Sequence, residues 1–115
     1  MRTIVSTLAG LLLTIVAAFA DPVGVYNVKG KNPNGTEYRG VATVERTGQT
    51  YRVTWVIGRT QFTGTAIGDK DFVAVSYQAG DKTGLALYGA SGQDWEGIWT
   101  FSGGRDLGVE VWERR

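Results

Sequence analysis

Apolar and polar residues alternate along most of this chain after position 22, and short breaks rich in glycine interrupt the alternation. In the segment 51–57, for example, Tyr51, Val53 and Trp55 occupy alternate positions and would therefore share one face of a strand. Successive side chains of a β-strand point to opposite faces, so this period of two is typical of strands buried on one side. No segment after residue 20 has the period of a helix, and the 17 glycines of the chain disfavour long helices. The sequence therefore predicts an all-β protein.

The breaks in the alternation divide the chain into eight predicted strands. Most of the breaks are short enough for hairpins, which favours an up-and-down antiparallel order. Eight strands in this order close most economically into a small barrel, because closure leaves no unpaired strand edge. A β-sandwich is the alternative. The predicted strands lie near residues 24–30, 37–46, 50–57, 60–67, 71–78, 84–90, 94–101 and 107–114.

An aromatic residue is followed two positions later by glycine at three places in the chain. Residues two apart on a strand share a face, so we predict that each ring lies over its own glycine where the strand bends to close the barrel. A row of aromatic platforms for a ligand is the alternative interpretation. The three pairs are Tyr38-x-Gly40, Phe62-x-Gly64 and Trp95-x-Gly97.

Aromatic side chains are also the expected filling of the barrel, since each one buries a large apolar area. The predicted strands are short, so we expect these rings to leave little room for a cavity. The predicted core aromatic residues are Tyr38, Tyr51, Trp55, Phe62, Trp95 and Trp99.

The first 22 residues have the composition of a secretion signal. Arg2 precedes an apolar run, and Ala18-Phe19-Ala20 places small residues at the two positions that a signal peptidase reads. We therefore predict that residues 1–20 are removed as a signal peptide. Residues 21–115 are then a single domain, periplasmic or secreted. The alternative is an uncleaved transmembrane anchor, because the run approaches the length that spans a bilayer.

Charge and composition exclude several classes of function. Arg2 is the one charged residue of the predicted leader, so the formal net charge of +1 falls to zero in the mature chain. A neutral domain lacks the field that attracts nucleic acid or anionic lipid, and we expect neither as a partner. The chain has no cysteine and no histidine, which excludes disulfides, zinc sites with those ligands and Ser-His or Cys-His catalysis. We predict no cofactor and no metal.

Carboxylates are the remaining catalytic option. Glu110 shares a face with Trp112 and Arg114. If that face is inward, Glu110 is most simply the counter-ion of Arg114 or of another inward arginine, because a buried charge needs a partner. The sequence identifies no second inward carboxylate, so we predict that the protein is not an enzyme.

The strands at 71–78 and 84–90 carry apolar residues on both faces. A monomeric barrel in water needs apolar residues only on its inward face. We hypothesise that these strands form a self-association or partner surface, and cover by a loop or the chain end is the alternative. The candidate binding residues are Phe72, Tyr77, Leu85 and Tyr88.

The two ends of the predicted domain resemble barrels of the lipocalin and avidin group. Gly24-x-Tyr26 corresponds to the Gly-x-Trp strand that begins those folds, and Arg114 corresponds to the arginine near the last strand of lipocalins. The resemblance implies that Arg114 lies over Tyr26 and joins the first strand to the last. The predicted closure residues are Gly24, Tyr26, Glu110, Trp112 and Arg114.

Across the whole of residues 21–115, the chain is similar to a family of small exported bacterial proteins of poorly established role, some labelled fibronectin-binding. The resemblance implies an exported barrel, and none of the matching residues indicates a fibronectin site. The matching motifs are Gly24-x-Tyr26, Asn32-Pro33-x-Gly35, Tyr38-x-Gly40, Tyr51-x-Val53-x-Trp55, Phe62-x-Gly64, Gly97-x-Trp99 and Glu110-x-Trp112-x-Arg114.

Together these observations favour an exported, non-enzymatic binding module that recognises a protein partner through its surface. The alternatives are an inhibitor of an extracytoplasmic hydrolase such as a protease or lysozyme, a carrier of a small apolar ligand, and a structural protein of the envelope. An apolar cavity of several hundred Å³ is the observation that would favour the carrier.

Overall fold

A computed structural model describes residues 21–115, and the predicted signal peptide lies outside the described residues. The described chain forms eight strands and no helix, and each strand lies within two residues of its predicted span. The all-β prediction is confirmed. The strands are β1 (Gly24–Lys31), β2 (Glu37–Thr47), β3 (Thr50–Ile57), β4 (Thr60–Gly68), β5 (Phe72–Ala79), β6 (Lys82–Ser91), β7 (Asp94–Phe101) and β8 (Gly108–Arg114).

The strands form one closed antiparallel barrel in chain order. Each strand pairs with the next, and β1 also pairs with β8, where Tyr26 lies opposite Arg114 and Gly30 lies opposite Glu110. The predicted eight-stranded up-and-down barrel is therefore confirmed and the β-sandwich alternative is excluded. Closure removes the unpaired edges that would otherwise invite aggregation.

Several hairpins have loops of two residues, as the sequence breaks predict. In Gly48-Gln49 and Gly92-Gln93, the glycine has a φ of 70° and 63° respectively. A positive φ at the first loop position is what a type II′ turn requires, and its twist matches that of the flanking strands. Glycine at these positions therefore fixes the register of the hairpins.

Four aromatic rings lie over glycines of the neighbouring strand rather than over a glycine of their own strand. A Cβ placed on any of these glycines would overlap the ring that covers it. The predicted same-strand pairing is wrong: a Cβ at Gly40 would meet Val56 and Ile57 instead of Tyr38. The reason is distance. A residue lies about 5 Å from the residue directly opposite on the neighbouring strand, but about 7 Å from the residue two positions along its own strand. The cross-strand pairs are Tyr38 with Gly30, Tyr77 with Gly84, Tyr88 with Gly97, and Trp99 with Gly108.

The two ends of the barrel differ in packing. At the closed end, which we define by Tyr26, Trp95 and Arg114, the aromatic side chains are fully buried. At the open end, defined by Tyr38 and Tyr77, several inward rings are only half-buried. The interior is therefore solid at one end and accessible at the other.

Residues 21–23 cover the closed end. The hydroxyl of Tyr26 donates to the carbonyl of Pro22 at 2.6 Å, and Trp95 Nε1 donates to the Tyr26 hydroxyl at 3.2 Å. The guanidinium of Arg114 lies 4.8 Å above the Tyr26 ring and donates to the carbonyls of Asp21 and Val23. A Cβ at Gly24 would lie 2.6 Å from this guanidinium. Arg114 thus ties the first strand, the last strand and the cover into one unit.

Candidate functional site

A cavity of about 200 Å³ opens at the open end of the barrel. An apolar cavity of about 150 Å³ accepts one benzene molecule, and typical ligand pockets have volumes of about 300 Å³ or more. The cavity therefore has room for one small molecule of a single ring or little more. Its lining residues are Asn32, Tyr38, Trp55, Ile57, Phe62, Tyr77, Ala79, Tyr88, Trp99, Phe101 and Glu110.

The cavity exists because several rings lie against the wall instead of pointing toward the barrel axis. Tyr38, Tyr77 and Trp99 each lie over a glycine of the neighbouring strand, where no side chain competes for the space. Our expectation of little interior room assumed that these rings meet in the centre. The glycines leave the centre of the open end free.

Glu110 forms the polar floor of the cavity. It is the one charged side chain that is buried among the described residues, with 5% of its surface exposed. Its Oε2 accepts hydrogen bonds from Trp55 Nε1 at 3.0 Å, from the Tyr88 hydroxyl at 2.6 Å and from Trp112 Nε1 at 2.6 Å. Its Oε1 accepts a hydrogen bond from the Tyr38 hydroxyl at 2.6 Å. Donors from four strands thus converge on one carboxylate.

The interpretation of Glu110 as the counter-ion of Arg114 is wrong. Arg114 lies four residues further along β8, about 13 Å away at the rise of a strand, and its guanidinium binds carbonyl groups at the closed end. Hydroxyl and indole donors solvate the carboxylate in place of a cation. An ionised carboxylate has about four acceptor sites, and hydrogen bonds to a charged acceptor are the strong ones.

The tyrosine hydroxyls around Glu110 are held in the protonated form. Burial, followed by the charge of Glu110, raises the pKa of Tyr88 well above its usual value and that of Tyr38 in the same direction. The same two causes raise the pKa of Tyr77 to about 12. These hydroxyls are therefore hydrogen-bond donors at physiological pH and are poorly suited to act as bases.

Trp99 carries a buried polar atom without a partner. Its Nε1 makes no hydrogen bond within the described residues. The Trp99 and Tyr38 rings pack edge to face with centroids 6.3 Å apart. The nearby indole N–H acts to lower the pKa of Tyr38, against the larger effects of burial and Glu110, which raise it. The Nε1 atom lies against Gly108, where a Cβ would be 2.5 Å away, so it is enclosed by the wall and does not face the cavity.

The predicted core aromatic residues are divided between the cavity and the solid interior. Tyr51 and Trp95 are buried away from the cavity, and the Tyr51 hydroxyl accepts from Arg46 at 2.8 Å. Two further lining residues, Ile57 and Phe101, were not predicted from the sequence as site residues, although Phe101 shares the inward face of β7 with Trp99. The predicted core residues that line the cavity are Tyr38, Trp55, Phe62 and Trp99.

Two of the four candidate binding-surface residues lie inside the barrel. Tyr77 and Tyr88 point inward because each ring covers the glycine opposite it, and both line the cavity. Their assignment to an exposed surface is wrong. Phe72 and Leu85 lie on the outer face, with 63% and 57% of their surfaces exposed.

The outer face carries a line of apolar residues on five consecutive strands. They lie directly opposite one another in the strand register, from β4 to β8. We call this line the outer apolar row. Phe72 and Leu85 lie beside it on β5 and β6. The outer apolar row consists of Ile67, Ala74, Leu87, Ile98 and Val109.

Residues 21–115 contain no group of three or more acidic, histidine or cysteine side chains that could hold a metal ion. They also contain no helix long and apolar enough to cross a membrane.

Comparison with known proteins gives the fold alone. The sequence matches no known protein family and no curated protein. The structure is similar to a redesigned β-barrel, mFAP1, solved bound to DFHBI, with a TM-score of 0.64 and 16% identity over 81% of this chain and 94% of that one. It is also similar to a second redesigned barrel, b11L5F_LGL, with a TM-score of 0.62 and 16% identity over 81% of this chain and 91% of that one.

Proposed function

We propose that this protein is a non-catalytic binding protein that takes one small aromatic molecule into the cavity at its open end. The observation that carries the proposal is the aromatic-walled cavity of about 200 Å³ around a buried carboxylate. Aromatic walls bind a flat ring through dispersion and edge-to-face contacts. The few polar atoms at the floor would set its orientation, as they do in typical ligand sites.

The division of the barrel into a solid end and an accessible end supports this proposal. Rigid packing around Trp112 and Tyr26 holds the scaffold, so the cavity does not have to form when a ligand arrives. A preformed site avoids the entropic cost of ordering side chains on binding. The barrel mFAP1, which has a similar fold, was solved with DFHBI bound, so a barrel of this kind is able to hold a ligand.

Intrinsic fluorescence tests the proposal, because Trp55 and Trp99 line the cavity. We expect saturable changes in tryptophan emission when the purified protein is titrated with neutral one-ring and two-ring aromatic compounds. Ala79→Phe should abolish the change, since residue 79 lines the cavity and a ring there occupies the ligand's space. Ala74→Phe is the matched control, because residue 74 lies on the outer face of the same strand.

Equal binding by wild type and Ala79→Phe would show that the compounds bind elsewhere. The absence of saturable binding by any compound of suitable size would contradict the proposal outright.

We propose as a second candidate that the outer apolar row is a contact with a second copy of this chain. Its five members are uncharged, and Leu87 is 48% exposed. Leu87 on β6 is the central member of the row. A two-fold axis parallel to the strands and above β6 would place Leu87 of the two copies against each other, Ala74 opposite Ile98, and Ile67 opposite Val109. The row is therefore apolar and complementary to itself.

Sedimentation velocity tests the second candidate. We expect the wild-type protein to form dimers, and Leu87→Glu to be monomeric because it places a charge in the centre of the row. Val56→Glu is the matched control, since Val56 is 45% exposed on β3, outside the row. A wild-type protein that stays monomeric at every accessible concentration would contradict this candidate and leave the ligand proposal untouched.

A further inference from the structure

We infer that the small aromatic molecule bound in this cavity carries an ammonium group, attracted by the charge of Glu110 and by the faces of the surrounding rings. This inference rests on the proposed function, because it names the chemistry of the molecule that the cavity binds. It follows from a buried negative charge that is not paired with a cation, and from ring faces that are turned toward the same space.

The negative charge of Glu110 is solvated by hydrogen bonds but not neutralised. Its four donors are hydroxyl and indole groups, none of which brings a positive charge. Among the described residues, none that lines the cavity is a lysine or an arginine. A buried ion is ordinarily paired with an opposite charge. The cavity beside Glu110 therefore favours a cation that a ligand supplies.

This charge acts across the cavity and not only along its own hydrogen bonds. The Tyr77 hydroxyl donates to the Thr100 carbonyl at 3.4 Å. Burial, and after it the charge of Glu110, nevertheless raises the pKa of Tyr77. Opposite charges attract strongly over several ångströms where little water lies between them. A cation in the cavity would therefore be stabilised without displacing any of the four donors of Glu110.

The rings at the open end lie with their faces, not their edges, against the wall. A Cβ placed on Gly84 would lie nearest Cζ of Tyr77 and next nearest its two Cε atoms. An approach from the edge would meet the hydroxyl oxygen first, so the glycine lies under a ring face. At Gly108 the nearest atom is Cε2 of Trp99, which joins the two rings of the indole and is open only from a face. The opposite face of each ring is turned toward the barrel interior.

Ring faces attract cations because they carry the negative part of the aromatic quadrupole. Groups of such faces are the usual recognition element for ammonium ligands. The protein itself gives an example at the rim, where Lys82 Nζ lies 5.7 Å from the ring centroid of Phe101. Lys82 is exposed and does not line the cavity. The inner faces of Tyr77 and Trp99 are therefore available to a ligand cation.

Ligands of other charge gain less from this site. An anionic group would be repelled by Glu110 and by the ring faces. A neutral group of the same size gains the dispersion contact alone. The cavity of about 200 Å³ has room for one ring with a short side chain that carries the ammonium group.

Three probes of similar size and different charge test the inference: benzylamine, benzyl alcohol and benzoate. The amine of the first, like that of lysine, is protonated at about pH 7. We expect benzylammonium to bind at least about tenfold more tightly than benzyl alcohol, because it alone gains from the carboxylate and the ring faces. Benzoate should bind more weakly than benzyl alcohol. Tryptophan emission during each titration gives the three affinities.

Glu110→Gln identifies the source of the selectivity, because it removes the charge and keeps the shape of the side chain. We expect the ratio of the affinity for benzylammonium to the affinity for benzyl alcohol to fall about tenfold. Glu96→Gln is the matched control, since it removes the same charge from the exposed outer face of β7. It should leave the ratio unchanged. Circular dichroism of each variant confirms that the ratio is measured on folded protein.

Variants of residue 77 test the ring faces without altering any charge, and they decide the matter even where Glu110→Gln does not fold. Tyr77→Phe keeps a ring over Gly84, and Tyr77→Leu removes it. We expect the affinity ratio to be about threefold lower in Tyr77→Leu than in Tyr77→Phe, the equivalent of one cation–π contact.

The outcomes separate this inference from the proposed function. If benzylammonium and benzyl alcohol bind equally well, or if benzoate binds most tightly, the ammonium inference is wrong and the aromatic binding site stands. The same conclusion follows if the ratio is the same in wild type, Glu110→Gln and Tyr77→Leu. If none of the three probes binds to the wild-type protein, both are wrong.

Discussion

Glu110 shows how a buried charge is stabilised when no other charged side chain of residues 21–115 is buried with it. Its carboxylate accepts four hydrogen bonds from two tyrosines and two tryptophans on β2, β3, β6 and β8. The sequence indicated that Glu110 shares a face with Trp112. Because that face of β8 points inward, Glu110 points inward too. The identity of its partners did not follow, because three of the four donors come from strands distant in the sequence. Only the closed register brings them together.

We expect Glu110→Gln to destabilise the protein by about 3 kcal/mol. An amide nitrogen cannot accept, so at least one of the converging donors becomes unpaired in the interior. Glu96→Gln is the matched control, because Glu96 is exposed on the outer face of β7, and we expect it to change stability by less than about 0.5 kcal/mol. Urea unfolding followed by fluorescence measures both. Equal midpoints for the two variants would show that the hydrogen bonds at Glu110 contribute little net stability.

The tyrosines of the cavity predict a loss of stability at alkaline pH. The pKa of Tyr77 in the folded barrel is about 12, against an ordinary value of 10.0, because of burial and then the charge of Glu110. A raised pKa means that the folded state holds the proton more tightly than the unfolded state. The resulting stability is complete below about pH 10 and is lost as pH rises toward 12.

Urea unfolding at a series of alkaline pH values measures this loss. We expect the midpoint to fall above pH 10 in the wild-type protein and to fall less steeply in Tyr77→Phe, which has no proton to lose at that position. The Tyr77 hydroxyl makes one long contact of 3.4 Å with the Thr100 carbonyl, so its removal costs little at neutral pH. Identical slopes for the two proteins would show that Tyr77 titrates normally.

At the scale of the strand, cross-strand pairs of an aromatic residue and a glycine organise the interior. The sequence correctly indicated that rings cover glycines, but it placed each ring over the glycine two positions along its own strand. Register decides the partner, and register depends on hairpin geometry across the whole barrel. The same missing information led to the wrong face for Tyr77 and Tyr88. β5 and β6 are apolar on both faces, so alternation alone could not show which face is inward.

We expect Gly84→Ala to destabilise the barrel by about 1–3 kcal/mol and to weaken ligand binding. The new methyl group would overlap the ring of Tyr77, and the ring would have to move toward the cavity. Gly89→Ala on the same strand is the control. Its methyl group would lie 3.7 Å from the ring of Phe72, an ordinary contact, and the lower entropy of the unfolded chain makes the variant neutral or slightly more stable.

Thermal unfolding and a probe titration together measure this pair of variants. A Gly84→Ala protein that keeps wild-type affinity would show that the position of the Tyr77 ring does not define the cavity. A Gly89→Ala protein as unstable as Gly84→Ala would show that glycine is required on this strand for its backbone freedom instead.

At the scale of the whole molecule, the barrel separates stability from binding. The closed end contains the fully buried Tyr26 and Trp95 and the cover at residues 21–23, and the open end contains the cavity. The sequence predicted the barrel, its strands and four of the aromatic residues that line the cavity. It did not predict the cavity itself, because free space depends on how far rings lie from the axis. That distance is set by the glycines opposite them.

This separation predicts that damage at the closed end lowers stability without changing ligand affinity. Arg114 donates to the carbonyls of Asp21, Val23 and Gln93 while its guanidinium lies over Tyr26. A lysine cannot make the three bonds and stack at once, because its donors sit on a single atom without a planar face. We therefore expect Arg114→Lys to cost about 2 kcal/mol. The affinity of any ligand bound at the open end should remain within about twofold of wild type, because distant sites act independently.

Arg115→Lys is the matched control, since Arg115 is the next residue and its side chain makes a single exposed hydrogen bond, to Asn27 at 2.9 Å. We expect it to change neither the urea midpoint nor the affinity for a ligand bound at the open end. Loss of affinity in Arg114→Lys at a temperature where the protein is fully folded would show that the two ends are coupled. The rigid wall between them, built from Trp112, Tyr26 and Tyr88 with ring centroids 4.1 and 5.4 Å apart, argues against such coupling. Coupling between distant sites needs an element with two discrete arrangements, and these packed rings provide a single one.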